Sequence, residues 1–407
     1  MSAIAPVVVS GVRSNATTSA QSIKVRDVEP QINLLQPYFY PLQYFAASKF
    51  FGEKATGGEK SKTEWNEDKY LPDSVTVPAG ITGGGTTETF AVSNDYFQTY
   101  DKILVESSGE VLLVTAASTP NVTVKKVGAG NITAAVANST IMRIGNAFPE
   151  DGSKQEALTT LTVGKSCYCQ ILKKAVKMTG REQAADTYGE GWKYQWVKAS
   201  LEVKEEMERS WCLNGASYLD TVLEITYSAG LRGALTTNTI TYPGNLDEIE
   251  FDDAINQIMA YGTGENSGML CVMVGSLIES DMNKWMKNRY AIMQDSKELE
   301  VKTYGLATTM KNMSPQFIDY KHPNAILRVF WNPQLKGSKW GTCAAIFDPR
   351  MLTRMYMKPD EDGPRKYRQE MAIKTPGADR KEGQMLFDQG LKVRLEETGG
   401  WLQKAGL

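Results

Sequence analysis

From Asp186 to Leu213 the chain reads DTYGEGWKYQWVKASLEVKEEMERSWCL, and its apolar residues recur at steps of three and four. Tyr188, Trp192, Trp196, Ala199, Val203, Met207 and Trp211 therefore share one side of an α-helix. Glu190, Lys198, Glu202, Glu205, Glu208 and Arg209 take the opposite arc, with Glu205 and Arg209 spaced for a favourable i,i+4 pair. At the α-helical rise this element is about 40 Å long. Its tryptophan stripe demands a broad apolar partner surface, and Asn214-Gly215 predicts a C-terminal stop through a left-handed glycine.

The pattern elsewhere is more broken. Residues 1–35 are small and polar without periodicity and read as an extended or partly disordered arm. An aromatic-dense stretch follows from Leu34, with a short helix expected over Leu42–Phe51 that docks onto something. Polar alternation around Trp65 predicts a solvated strand, and GITGGGTTE (80–88) reads as a hinge-like linker. Between Glu88 and Ile144, short β-branched runs separated by turn signals predict an all-β module of about 60 residues. Alternation over Leu158–Met178 predicts a strand that pairs back with the one around Trp65, leaving the module in the middle of a long two-stranded excursion.

Downstream of the long helix, FDDAINQIMAYG (251–262) predicts a helix with Asp252 and Asp253 in its first turn. MLCVMVG (269–275) has the continuous apolarity of a strand buried on both faces. A helix starts at Ser276, with Glu279 completing a capping box. Strands are expected at 299–304, 325–331 and 344–359, and again towards the end of the chain. Asp360, Glu361 and Asp362 are expected in a solvated turn.

Composition narrows the chemistry. Apolar residues make up 42% of the chain and charged residues 23%, ordinary for a folded protein. A net charge of −2 without a basic tract argues against a dedicated nucleic-acid reader, and no apolar run is long enough for a membrane span. Cys167, Cys169, Cys212, Cys271 and Cys343 are scattered and read as free buried thiols. His322 is the single histidine, which rules out a histidine-rich metal site. Phosphate-loop, dinucleotide and nucleophile-elbow motifs are missing, so no catalytic, cofactor or metal residues are expected.

Four stretches carry a resemblance: KTEWNEDKYLPD (62–73), EVLLVTAAS to STIMRIGNAF (110–148), TVGKSCYCQILKKAVKMTGREQAADTYG (162–189) and LKVRLEETGGWLQKAG (391–406). In order and spacing they resemble the major capsid proteins of tailed bacteriophages with the Hong Kong 97-like fold, in the group with a β-rich insertion in the extended loop. The resemblance implies an α+β fold and no enzymatic activity. It divides the chain into an N-terminal arm (1–52), an extended loop (53–180) containing an inserted β-domain (83–147), a peripheral domain (181–246) with its spine helix (186–213), an axial domain (247–345) and a peripheral return (346–407). Within the loop, Lys60, Lys62, Glu64 and Trp65 become candidate intersubunit contacts. Lys69 lies there too, but no pattern identifies a cross-linking partner. The spine stripe would pack on the peripheral sheet, its polar arc facing the shell interior or a neighbour. The implied partners are copies of the chain in hexamers and pentamers, a portal protein, a scaffold, a maturation protease, decoration proteins and non-specifically held double-stranded DNA. Assembly would occur in the host cytoplasm. An encapsulin-like nanocompartment shell is the alternative within this fold, and a hydrolase using His322 the alternative outside it.

Overall fold

The computed structural model describes residues 40–47, 52–56, 61–93, 96–118, 120–150, 152, 157–185, 191–261, 269–293, 318–322, 325–361, 363–373, 377 and 379–406. The arm over 1–35, the strand expected at 299–304, and the candidate residues Lys60 and Tyr188 lie outside them. The chain divides into two compact units, one made by residues 64–165 and the other by the residues on either side.

Helix α1 (Pro41–Ala47) comes first, then β1 (Gly52–Ala55) and β2 (Lys62–Glu67). The smaller unit continues with β3 (Ser74–Val77), β4 (Thr87–Ala91), β5 (Asp101–Val105), β6 (Glu110–Ser118), β7 (Asn121–Lys126) and β8 (Ser139–Asn146). These six strands form one sheet in the order β3-β8-β5-β6-β7-β4, antiparallel throughout. Strand periodicity puts alternate residues on one side. Val75, Val77, Phe90, Ile103, Val105, Leu112, Val114, Val122, Val124 and Ile141 make a dry core, and the positions between them face outward. The Ser93 amide donates to the Thr76 carbonyl at 3.1 Å, drawing the end of β4 to β3 and curling the sheet.

The insert expected over 83–147 is therefore too short, because β3 precedes it and completes the same sheet. Gly83–Gly85 is no hinge. The Thr82 and Gly83 amides donate to Glu88 at 2.6 and 2.9 Å. Gly83 has φ +77°, and an added Cβ would sit 2.5 Å from the Ala134 nitrogen. Gly83 serves close backbone approach inside the unit, while Gly84 has open space around it and is held at φ +91°. A second carboxylate, Glu110, accepts from Lys126 Nζ at 2.6 Å and the Thr133 amide at 2.8 Å, which hold it at about 2.

Leaving that unit, β9 (Val163–Tyr168) pairs with β2 in a two-stranded ribbon. The larger unit then runs β10 (Gln170–Thr179), α2 (Gly180–Ala184), α3 (Trp192–Leu213), β11 (Tyr218–Asp220), β12 (Ile225–Tyr227), α4 (Leu231–Ala234), β13 (Thr239–Tyr242), α5 (Glu248–Met259), β14 (Met269–Val274) and α6 (Ser276–Met293). After these come β15 (Ile318–His322), β16 (Ala325–Trp331), α7 (Gly337–Trp340), β17 (Cys343–Phe347), β18 (Leu352–Tyr356), β19 (Arg368–Ile373), β20 (Arg380–Val393) and β21 (Gly400–Lys404).

Two sheets organise the larger unit. The first has the order β1-β18-β20-β10, with β19 also on β20, and α3 packs on β10 and β20. The second is mixed, in the order β13-β21-β17-β14-β16-β15. Its central strands are apolar on both faces. Cys271, Met273, Cys343, Ala345, Phe347 and Trp401 join the core around α3. The alternate residues Leu270, Val272, Val274, Ala344, Ile346 and Leu402 join Phe251, Ile255, Ile258, Ile278 and Met282 of α5 and α6. The second sheet thus lies between two helical layers.

The domain boundaries expected at 246/247 and 345/346 do not hold. β13 comes from before the first, β17 straddles the second, and β21 follows it, yet all three belong to the sheet of β14 and β16. Capping also differs. The capping box is Asp247 with Glu250 at the start of α5, which begins earlier than Asp252. At α6, the Glu279 amide donates to the Gly275 carbonyl at 3.0 Å.

Gly233 is a sharp test of the packing beyond α3, since a Cβ there would lie 2.0 Å from the Gly215 carbonyl carbon. Gly233→Ala is expected to destabilise the protein by about 1–3 kcal/mol. Gly244→Ala, with open space around its Cβ but φ +82°, is expected to cost about 1 kcal/mol. Chemical denaturation of both variants measures the difference.

Candidate functional site

Helix α3 begins at Trp192, after Gly191, which offers no side-chain cap. Of the predicted stripe, Trp196, Ala199, Val203, Met207 and Trp211 are buried. They meet Val176 of β10, Met385, Phe387 and Leu391 of β20, and the α3-facing residues of the second sheet. Trp192 is half-buried at the margin, stacked on Trp196 at 5.9 Å between ring centroids, with Lys381 Nζ 4.7 Å above its ring. On the outer arc, Lys174 of β10 bridges Glu202 and Glu206 at 3.2 Å each, which raises its pKa, and Arg209 pairs with Glu205 at 2.8 Å.

Glu208 is the correction on this helix. It was expected on the solvated arc but is 0% exposed. Position 208 is one turn from both Trp211 and Cys212, and α1 covers that flank with Leu42, Phe45 and Ala46. The carboxylate occupies the seam. Oε1 accepts from the Leu42 amide and from Asn332 Nδ2, both at 2.9 Å, and Oε2 accepts from the Gln43 amide at 3.1 Å. Glu208 thereby caps the first turn of α1, where Pro41 already lacks a donor. Tyr40 Oη donates to the Leu201 carbonyl at 3.2 Å, and Gln43 Nε2 donates to the Lys204 carbonyl. Burial pushes Glu208 up to about 7, against the pull of these donors.

The helix also ends differently from the expectation. Gly215 is not left-handed. Instead Asn214 Nδ2 donates to Gln170 Oε1 at 2.9 Å, Ser210 Oγ at 2.8 Å and the Ser228 carbonyl at 3.0 Å. Sequence spacing carries no trace of this side-chain stop, because two of its partners lie outside the helix.

The candidate contact residues fall on β2. Lys62 is half-buried, Glu64 exposed, and Trp65 half-buried with Nε1 donating to Glu67 Oε1 at 2.7 Å. Among the described residues no third strand joins the ribbon. Leu161 and Val163 beside it are 86% and 58% exposed. A second exposed apolar element is the β11–β12 hairpin, where Tyr218, Val222, Leu223, Ile225 and Tyr227 all face solvent.

All five cysteines are free and buried. His322 lies half-buried in β15, opposite Ala325. Asp360 is not simply solvated, since Arg365 and Arg368 pair with it and lower its pKa; Asp362 lies outside the described residues. Among the described residues no cluster of histidine, cysteine, aspartate or glutamate could hold a metal, and no helix is long and apolar enough to cross a membrane. What the geometry offers is two separately packed units, with apolar residues of β9 and of the β11–β12 hairpin left exposed.

Residues 12–406 match the family model described as SU10 major capsid protein. The chain belongs to this family. It is a major capsid protein, a structural subunit of a viral shell and not an enzyme. No curated protein matches it. Solved structures with a similar course include the cyanophage A-1(L) capsid, at 10% identity and TM-score 0.48, covering 96% of this chain and 99% of that one. The capsid of cyanophage P-SCSP1u aligns at 9% identity and TM-score 0.42, over 65% and 81% of the two chains. The SrpI encapsulin of Synechococcus elongatus PCC 7942 aligns at 9% identity and TM-score 0.43, over 97% and 95%. At these values the assignment rests on the family match alone.

Trp211→Ala in this capsid protein is expected to cost about 3–5 kcal/mol by opening a cavity in the α3 core. Val197→Ala, at a position 56% exposed on the same helix, should change stability by less than about 0.5 kcal/mol. Equal losses in urea unfolding would contradict the burial described for α3.

Proposed function

We propose that this capsid protein builds a Hong Kong 97-like head around double-stranded DNA, in the manner of tailed bacteriophages. The observation that carries the proposal is the β2–β9 ribbon: two paired strands that lead into and out of a separately cored β-unit. An isolated two-stranded ribbon is marginal in water, so its natural complement is the surface of another copy. In this reading the residues before β1 are the arm, the stretch between β1 and β10 is the extended loop, and α3 is the spine. Peripheral and axial functions are then shared across the second sheet rather than divided at its edges. Lys62, Glu64 and Trp65 serve as intersubunit contacts, and copies gather in hexamers and pentamers.

A near-neutral chain suits a container that must hold DNA without fixing it, since phosphate affinity follows clustered cations. A portal, and assembly in the host cytoplasm, follow from the same reading.

Full-length protein expressed alone is expected to form closed shells or capsomers in electron micrographs. A stable monomer in light scattering at the same concentration overturns the proposal. Glu64→Lys combined with Trp65→Ala should leave the thermal transition of the subunit in place. Shell yield should fall by at least about tenfold, the change that about 1.4 kcal/mol makes in a single association equilibrium.

A further inference from the structure

The seam between α1 and α3 holds an ionisable group that, among the described residues, pairs with no opposite charge. Leu42, Phe45 and Ala46 bury the apolar side of α1, and Phe45 meets Phe330 edge-on at 4.9 Å. The polar side of the contact converges on one carboxylate, Glu208. Facing it from α1 are the Leu42 and Gln43 amides and the Gln43 carboxamide, and from the turn after β16, Asn332. On its own helix lie Cys212, whose thiol is pushed well above its ordinary value by burial and by this carboxylate, and Lys204 one turn earlier. Lys204 forms no ion pair with Glu208, and among the described residues no lysine, arginine or histidine does. Asn332 Nδ2 also touches the Cys212 and Met273 sulfurs at 3.2 and 3.1 Å, so the pocket wall behind the carboxylate is soft and apolar.

We infer that Glu208 is a proton-linked clasp, gripping α1 most firmly when protonated and loosening it as pH rises. A buried carboxylate without a cation resists ionisation, and releasing α1 is what returns this one to water. With α1 docked, burial pushes the group up to about 7, and release of α1 moves it back towards the ordinary carboxylate value of 4.5. Between those limits the docked state holds a proton that the released state lacks. Docking is therefore strongest below pH 4.5, weakens up to about pH 7, and is flat above it. A full return to the ordinary value corresponds to at most about a 300-fold fall in the docking equilibrium. Above pH 7 the donors still favour the anion, and the apolar contacts of Leu42 and Phe45 still hold, so α1 becomes conditional rather than free. The clasp does not depend on the shell reading.

Hydrogen exchange of the peptide covering residues 40–47 tests it on the full-length chain. Protection is measured from pH 4.5 to 8 and corrected for the intrinsic pH dependence of exchange. The expected profile falls towards pH 7 and then levels, while Glu208→Gln gives a pH-independent profile. Asn332→Ala removes a donor to the anion and should move the wild-type transition to higher pH, which keeps the test open if Glu208→Gln does not fold. A flat wild-type profile, an unchanged slope in Glu208→Gln, or an unmoved transition in Asn332→Ala overturns the inference.

Discussion

The larger unit is built around the need to bury α3 on more than one side. Trp196, Val203, Met207 and Trp211 cover one face, and Glu208 with Cys212 extends the buried zone onto the next flank. A single layer cannot enclose so much of a helix. β10 and β20 close on one side, and the second sheet closes on another through Met273, Phe347 and Trp401. That sheet is apolar on its far face as well, which obliges α5 and α6 to cover it. One helix pattern thus propagates into four layers: sheet, helix, sheet, helices.

This closure separates the parts that are complete from the parts that are not. Both units hold buried apolar cores of their own. The β2–β9 ribbon and the β11–β12 hairpin differ, since among the described residues no third strand joins either, and Leu161, Val163, Val222 and Leu223 stay exposed. Contiguous exposed apolar surface is unusual on a protein that stays monomeric. A shell subunit benefits from this division, because packed cores hold each unit's fold while the open elements meet their neighbours.

The α3 stripe was legible because helical periodicity is a local property, and the doubly buried β14 was legible because MLCVMV is apolar at every position. Pairing between distant segments was not. The second sheet recruits β13 and β21 from either end of the region, and no local pattern in TITY or GWLQK names that sheet. Glu208 failed for the same reason. A glutamate among charged neighbours reads as solvated, and only the docking of α1, more than 160 residues earlier in sequence, buries it. Its signal was present but indirect: an aromatic segment that had to dock somewhere, and an acid one helical turn from a buried cysteine. Gly83 misled in the opposite sense, because glycine marks close backbone approach as readily as flexibility.

Glu208 also separates stability from specificity. A methionine of similar volume could fill the seam with no charge to desolvate, and replacements of buried charged groups by apolar residues are often neutral or stabilising. What an apolar residue cannot do is accept the Leu42 and Gln43 amides, so α1 would lose the cap that sets its first turn and its direction of approach. The carboxylate fixes where α1 sits at a cost that depends on solution conditions. Methionine would make the contact permanent but imprecise; glutamate makes it directed and conditional.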